Sequence, residues 1–179
     1  MKVTIDIPLL QEPDEKVARL VELVFEAHQV AAKNNASASS EAVCMAAGGS
    51  GSFRQAVVAA LMTLGIRHGP IGAARLVFTT DSYHSIESGA KIPGWGNSFF
   101  KDGIDPAWQK VDDYLKEHFE QEWSKVDAVT NELHAAGKRI YPNAAIYTAI
   151  ACELCHVPAG LEELFFILPR LPVWAELAL

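Results

Sequence analysis

Apolar residues recur every three or four positions along most of this chain, and the stretches they define are separated at glycine and proline. After the polar run "QEPDEK", Val17, Leu20, Val21, Val24, Phe25 and His28 share one helical face and predict an amphipathic helix. "NNASASSEAVCMAAGG" predicts a second, capped by Asn35 or Ser37 and stopped at Gly48 and Gly49. "SFRQ" has the form of a capping box, Ser52 bonding the Gln55 amide while the Gln55 side chain answers back. The helix it opens runs through "AVVAALMTL" to a stop at Gly65. "HGPIGAARLVF" predicts another, with Pro70 tolerated in a first turn whose amide has no partner anyway.

Asp105-Pro106 is an N-cap followed by proline, and it opens what should be the longest helix. Trp108, Val111, Leu115, Phe119, Glu122, Val126, Val129 and Leu133 mark its stripe, which ends at Gly137, and its many charged residues form the solvated face. "YPNAAIYTAIACEL" and "PAGLEELFFIL" predict two more helices, each with a proline near its start. Strand-like alternation is confined to residues 2–7, a short strand or an extended arm. The expected fold is an all-α single domain over residues 1–179. Residues 1–33 supply an N-terminal arm and the first helix, and 34–179 the helical core.

Charge narrows the function. With 15 basic against 22 acidic residues the net charge is −7, and no cluster of lysine and arginine appears, which argues against nucleic acid as a partner. The start has no cationic segment followed by an apolar run, and no stretch is apolar for long enough to span a bilayer. The best candidate, "LFFILPRLPVWAELAL", is broken by prolines and carries Arg170 and Glu176. Three cysteines without a secretion signal suit a reducing interior, so the expected location is the cytoplasm.

Few motifs carry chemistry. "CELCH" (Cys152 to His156) matches a short haem-attachment pattern, but two cysteines one helical turn apart read more simply as small core residues. Glycine-rich dinucleotide and P-loop motifs are absent, and histidines 28, 68, 84, 118, 134 and 156 form no recognised metal pattern. Ser50 in "GGSGS" lacks the strand-to-helix elbow that exposes a nucleophilic serine. "KIPGWGNSFFKDGIDPAW" has the punctuation of an active-site loop, yet holds Asn97 where a reacting group is expected.

Four segments, in order, resemble the citrate synthase family, including its citryl-CoA lyase-like members. "NASASSEAVCMAAGGSGSFRQAVVAALMTLGIRHGPIGAA" is similar to N-A-S-T-F-A-A-R-V-V-A-S-T-G followed by A-V-x-A-A-I-x-A-L-x-G-P-L-H-G-G-A. "IPGWGNSFFKDGIDPAW" is similar to I-x-G-F-G-H-R-V-Y-K-x-x-D-P-R. "RIYPNAAIYTAIACELCHVP" resembles L-Y-P-N-V-D-F-Y-S-G and the L-G-I-P beyond it. "LEELFFILPRLPVWAEL" resembles F-T-P-L-F-A-I-G-R-x-x-G-W-x-A-H. The resemblance runs from about residue 34 onward and implies a shortened, citrate synthase-like helical domain.

The family removes a proton beside a thioester carbonyl with a carboxylate base and holds the enolate oxygen with histidine, while arginines clamp the substrate carboxylates. On this chain the histidine of G-P-L-H-G-G falls on Gly72, with His68 four residues earlier. That of G-F-G-H falls on Asn97. The aspartate of P-N-V-D falls on Ala145 and the arginine of D-P-R on Ala107. The histidine of the family's D-H-E falls near Ala32, with Lys33 in place of the acid. Base and electrophiles are therefore missing together. Lys101 persists at a position near the coenzyme A phosphates, and Arg170 at that of a carboxylate ligand.

The resemblance thus implies a pseudoenzyme: an oligomeric binding or scaffold module, homodimeric or larger, with Lys101, Arg170, Asn97 and His68 as its ligand-binding residues. Coenzyme A or an acyl-CoA is the cofactor it suggests, and no metal is expected. A short form of this kind would suit a viral or mobile-element gene. The alternative is a CoA-dependent C–C lyase or acyltransferase acting on an acyl-CoA or polycarboxylate, with chemistry relocated to His68, Asp81, His84 or Glu87.

Overall fold

A computed structural model describes residues 13–34, 37–50, 52–65, 68–80, 91–97 and 99–179; the side chain of Ser50 and the expected strand or arm at 2–7 lie outside the described residues. Among those described the chain is all-α, as its periodicity predicts, with no strand beyond two isolated bridges.

Helix α1 (Glu15–Lys33) starts where the Asp14 side chain accepts from the Val17 amide at 2.8 Å, and it buries Val17, Leu20, Leu23, Val24, Ala27, His28 and Ala32. Helix α2 (Ala38–Ser50) opens with the Ser40 amide donating to the Ser37 hydroxyl. It runs through Gly48 and Gly49 rather than stopping there, because both adopt ordinary negative φ. Helix α3 (Phe53–Met62) has Ser52 at its N-cap, but the predicted side-chain cap bond is not made; the start is secured by the Ser52 carbonyl, which accepts from Ala56. The helix ends at Thr63, short of Gly65, whose amide and carbonyl pair with His68 and fix that residue in the connection to α4 (Ile71–Thr80).

The predicted long helix is two. Pro106–Trp108 form a 3-10 turn capped by Asp105, then α5 (Gln109–His118) and α6 (Glu120–Ala135) meet at Phe119, whose φ of −135° and ψ of 53° break the helix. A straight rod over residues 106–137 would run about 48 Å, against a radius of gyration of about 16 Å for a chain this size. The bend lets α5 lie on α1 while α6 turns Trp123 onto the ring of Tyr147.

Helix α7 (Ala144–Leu154) is the centre, buried without interruption from Ala145 to Cys152 and packed by α1 and α4. Of the expected last helix, "PAGLEELFFIL", only α8 (Leu164–Ile167) is α-helical; a 3-10 turn (Leu168–Arg170) and a further helix, α9 (Leu171–Leu177), follow it. Pro169 and Pro172, which lack an amide hydrogen, each start a new turn. No described helix is long and apolar enough to cross a membrane.

The loop before α5 is tied to the entrance of α7. The Gly96 amide donates to Tyr141 O, the Asn143 amide to Gly94 O, and the Asn143 side chain to Gly96 O at 2.7 Å. Gly94 has φ +97°, and a Cβ there would lie 2.9 Å from that of Ile146. Only glycine lets the loop sit this close to α7.

Candidate functional site

Arg170 lies at the end of the 3-10 turn before α9 and is buried, with 2% of its surface exposed. Its Nε and Nη2 donate to Nδ1 of His28, both at 3.2 Å; Nη1 donates to Ser37 Oγ at 3.2 Å and Ser39 Oγ at 3.4 Å. The guanidinium also stacks 3.9 Å over the ring of Phe166. Among the described residues no carboxylate comes within ion-pair distance of it; Asp105 acts on it from farther away. Burial pulls the Arg170 pKa down to about 9, opposed by Asp105.

The hydrogen bonds fix the proton positions around this cation. Nδ1 of His28 accepts, so the ring is neutral with its proton on Nε2, which meets Thr148 Oγ1 at 2.9 Å; Thr148 in turn donates to Ala144 O. Ser37 donates to Ser40, and Ser40 donates to Ala32 O. The Ser37–Ser39 bond at 3.1 Å must then be donated by Ser39. Ser39 thereby accepts from Nε2 of His68 at 3.1 Å. His28 is held well below the ordinary histidine value by burial, then by Arg170 and His68; His68 falls to about 4 through burial and Arg170. Among the described residues one cation thus stands amid neutral hydroxyls and imidazoles, an arrangement that favours an incoming anion.

A separate cleft of about 320 Å³ is lined by Gly96, Asn97, Phe100, Lys101, Arg139 and Tyr141, with Ile140 at its wall. Asn97 is shaped by its own turn, its Oδ1 accepting from the Phe99 amide. Two cations, Lys101 and Arg139, border this cleft.

The expected ligand residues therefore divide. Arg170 and His68 share the buried cluster, and Asn97 and Lys101 share the cleft. Asp81, His84 and Glu87 lie outside the described residues. At the positions where the family's reacting groups would fall, Ala145 is in the buried first turn of α7, its amide capped by Asn143. Ala107 is in the 3-10 turn capped by Asp105, and Gly72 is in the first turn of α4. Ala32 is buried and joins the cluster only through its carbonyl. None of the four has a side-chain group that could take up or deliver a proton.

His28, Ser37, Ser39 and Thr148 were not singled out as site residues by the sequence. The one available signal was a histidine within the apolar stripe of α1, where it reads as core. Cys152 and Cys155 of "CELCH" are buried and their thiols are pushed up by burial, Cys155 to about 11, so they pack rather than react. Among the described residues no cluster of His, Cys, Asp or Glu could hold a metal ion.

No protein-family model and no curated protein sequence matches the chain. Solved structures do. Citryl-CoA lyase from Hydrogenobacter thermophilus superposes with a TM-score of 0.75 at 22% identity, over 94% of this chain and 70% of that one. ATP citrate lyase from Methanosaeta concilii, in complex with (3S)-citryl-CoA, gives 0.73 at 18% identity, over 94% of this chain and 32% of that one. ATP citrate lyase from Methanothrix soehngenii, in complex with citrate and coenzyme A, gives 0.74 at 18%, with the same coverage. The fold is thus the citrate synthase-like helical fold expected from the four segments.

Proposed function

We propose that this chain is a binding module that holds a small carboxylate at Arg170, without the acid–base chemistry of the lyases whose fold it shares. The observation that carries this reading is the buried guanidinium, bonded among the described residues to neutral partners only. A buried cation costs several kcal/mol unless an anion compensates it, and a ligand carboxylate would meet the guanidinium with charge-assisted hydrogen bonds. Citrate is the first compound to try, since a structural neighbour is in complex with it.

Coenzyme A or an acyl-CoA is the second expected ligand. Its phosphates would suit the cleft between Lys101 and Arg139, and Phe100 and Tyr141 offer flat apolar surface beside them. Proton abstraction from such a ligand has no evident agent, because alanine stands where the base would be. The relocated-chemistry reading draws on one contact, Ser39 with His68, but a histidine with a pKa of about 4 is a poor base near neutrality. It ranks second.

Assembly is part of the proposal. Met45 on α2 and Phe53, Val58, Leu61 and Met62 on α3 are exposed apolar side chains on two helices packed against each other. A homodimer would cover them.

Calorimetry with citrate and with coenzyme A tests the binding. Stoichiometric citrate binding that disappears in Arg170→Met supports the reading, and citrate heats unchanged by that substitution would refute it. Release of acetyl-CoA from citryl-CoA at a rate proportional to protein would favour the enzyme instead.

A further inference from the structure

We infer that a carboxylate entering beside Arg170 brings a proton into the protein, taken up by His68, so that the site binds its ligand more tightly as the solution becomes more acidic. This rests on the carboxylate-binding reading above and assigns that site a regulation of its own.

Two shared neighbours join Arg170 to His68. Ser39 Oγ receives both Nη1 of Arg170 and Nε2 of His68. The ring of Phe166 carries the guanidinium on its face, and the imidazole of His68 meets it edge-on at 5.1 Å between centroids. Among the described residues, the groups that bear charge or titrate around His68 are Arg170 from the turn before α9 and His28 from α1, with Asp105 reaching the cluster through Arg170. Ser39 from α2 and Phe166 from α8 bring none.

Of the two histidines only His68 can take the proton readily. His28 is fully buried and its Nδ1 lone pair is engaged by Arg170, so protonating it would set two donors against each other. His68 is half-buried, and its Nε2 proton is spent on Ser39, which leaves Nδ1 as the nitrogen to be protonated. While the site is empty, burial and Arg170 keep His68 neutral down to about pH 4. A carboxylate on Arg170 cancels that cation's field and adds a negative charge of its own, and both effects favour the imidazolium. Return to the ordinary histidine value of about 6.5 gives an uptake of about half a proton per ligand at that pH, and an affinity about fourfold lower at pH 8 than at pH 6.

The test is calorimetry of oxalate and of citrate binding at about pH 6.5, in buffers of different ionisation enthalpy, with citrate's own protonation subtracted. Expected is a net uptake of protons that disappears in His68→Asn. NMR titration of His68 in the unsubstituted protein, with and without oxalate, gives the same information should the variant fold poorly; its midpoint should rise on binding. Binding without proton uptake, or with uptake that persists in His68→Asn, overturns the inference and leaves the carboxylate-binding reading standing. Binding of neither anion overturns both.

Discussion

Replacing Arg170 by methionine separates a residue kept for a ligand from one kept for stability. The fall of its pKa from 12.5 to about 9 means that folding carries the cation at a cost of about 5 kcal/mol. Methionine removes that cost and keeps most of the apolar stem packing on Phe166. Against this, Nδ1 of His28 loses its donors while buried, about 1–3 kcal/mol. The stacking on Phe166 is worth about 1–2 kcal/mol. Ser37 and Ser39 keep other bonds and lose about 1 kcal/mol between them. Gains and losses nearly cancel, so urea denaturation should place Arg170→Met within about 2 kcal/mol of the unsubstituted protein, while citrate affinity drops at least about 100-fold. A loss of stability of about 4 kcal/mol or more would mean that Arg170 is a structural keystone, and the reasoning from an uncompensated cation would be wrong.

Acid should destabilise the fold in a defined window. His68 titrates at about 4 when folded and near 6.5 when unfolded, so the unfolded chain binds the extra proton; stability is complete above about pH 6.5 and declines by about 3 kcal/mol as pH falls to about 4, with His28 adding in the same direction. Thermal melts across that range check it, and a flat profile refutes it. Gly94→Ala should cost about 2–4 kcal/mol by the same denaturation assay, because its φ of +97° is strained for alanine and the new methyl meets Ile146 at 2.9 Å. Val58→Asp combined with Met62→Lys, two exposed positions on α3, should convert a dimer to monomer in sedimentation velocity; an unsubstituted protein that sediments as a monomer would end the assembly proposal.

How much of this was legible in the sequence follows from where each signal resides. Helices with one wet face, such as α1, announce themselves by period, and the cap at Asp105 was visible because a short polar side chain stood before proline and a helical run; the cap at Asn143 emerged only in the structure. The break at Phe119 was not, since no glycine or proline marks it and both halves keep the same apolar spacing; only the need to wrap a small core imposes it. Gly48 and Gly49 misled in the opposite sense, for glycine permits a helix to end without requiring it. At the site, Arg170 and His68 were legible through family-like motifs, but their shared cluster was not. His28 and Thr148 lie 120 residues apart and meet only in the fold, and each alone reads as part of a buried helix face. Lys101 and Arg170 looked like one set because a single motif-bearing family supplied both; the structure places them in different surroundings.

At the centre of the proposal is a carboxylate site at the buried Arg170 cluster, with no group among the described residues placed to move a proton on carbon. The most direct measurement is deuterium incorporation into the methyl group of acetyl-CoA in heavy water, with the protein and citrate present, followed by mass spectrometry. The account predicts incorporation no faster than in the absence of protein. Incorporation that rises in proportion to protein concentration would contradict it.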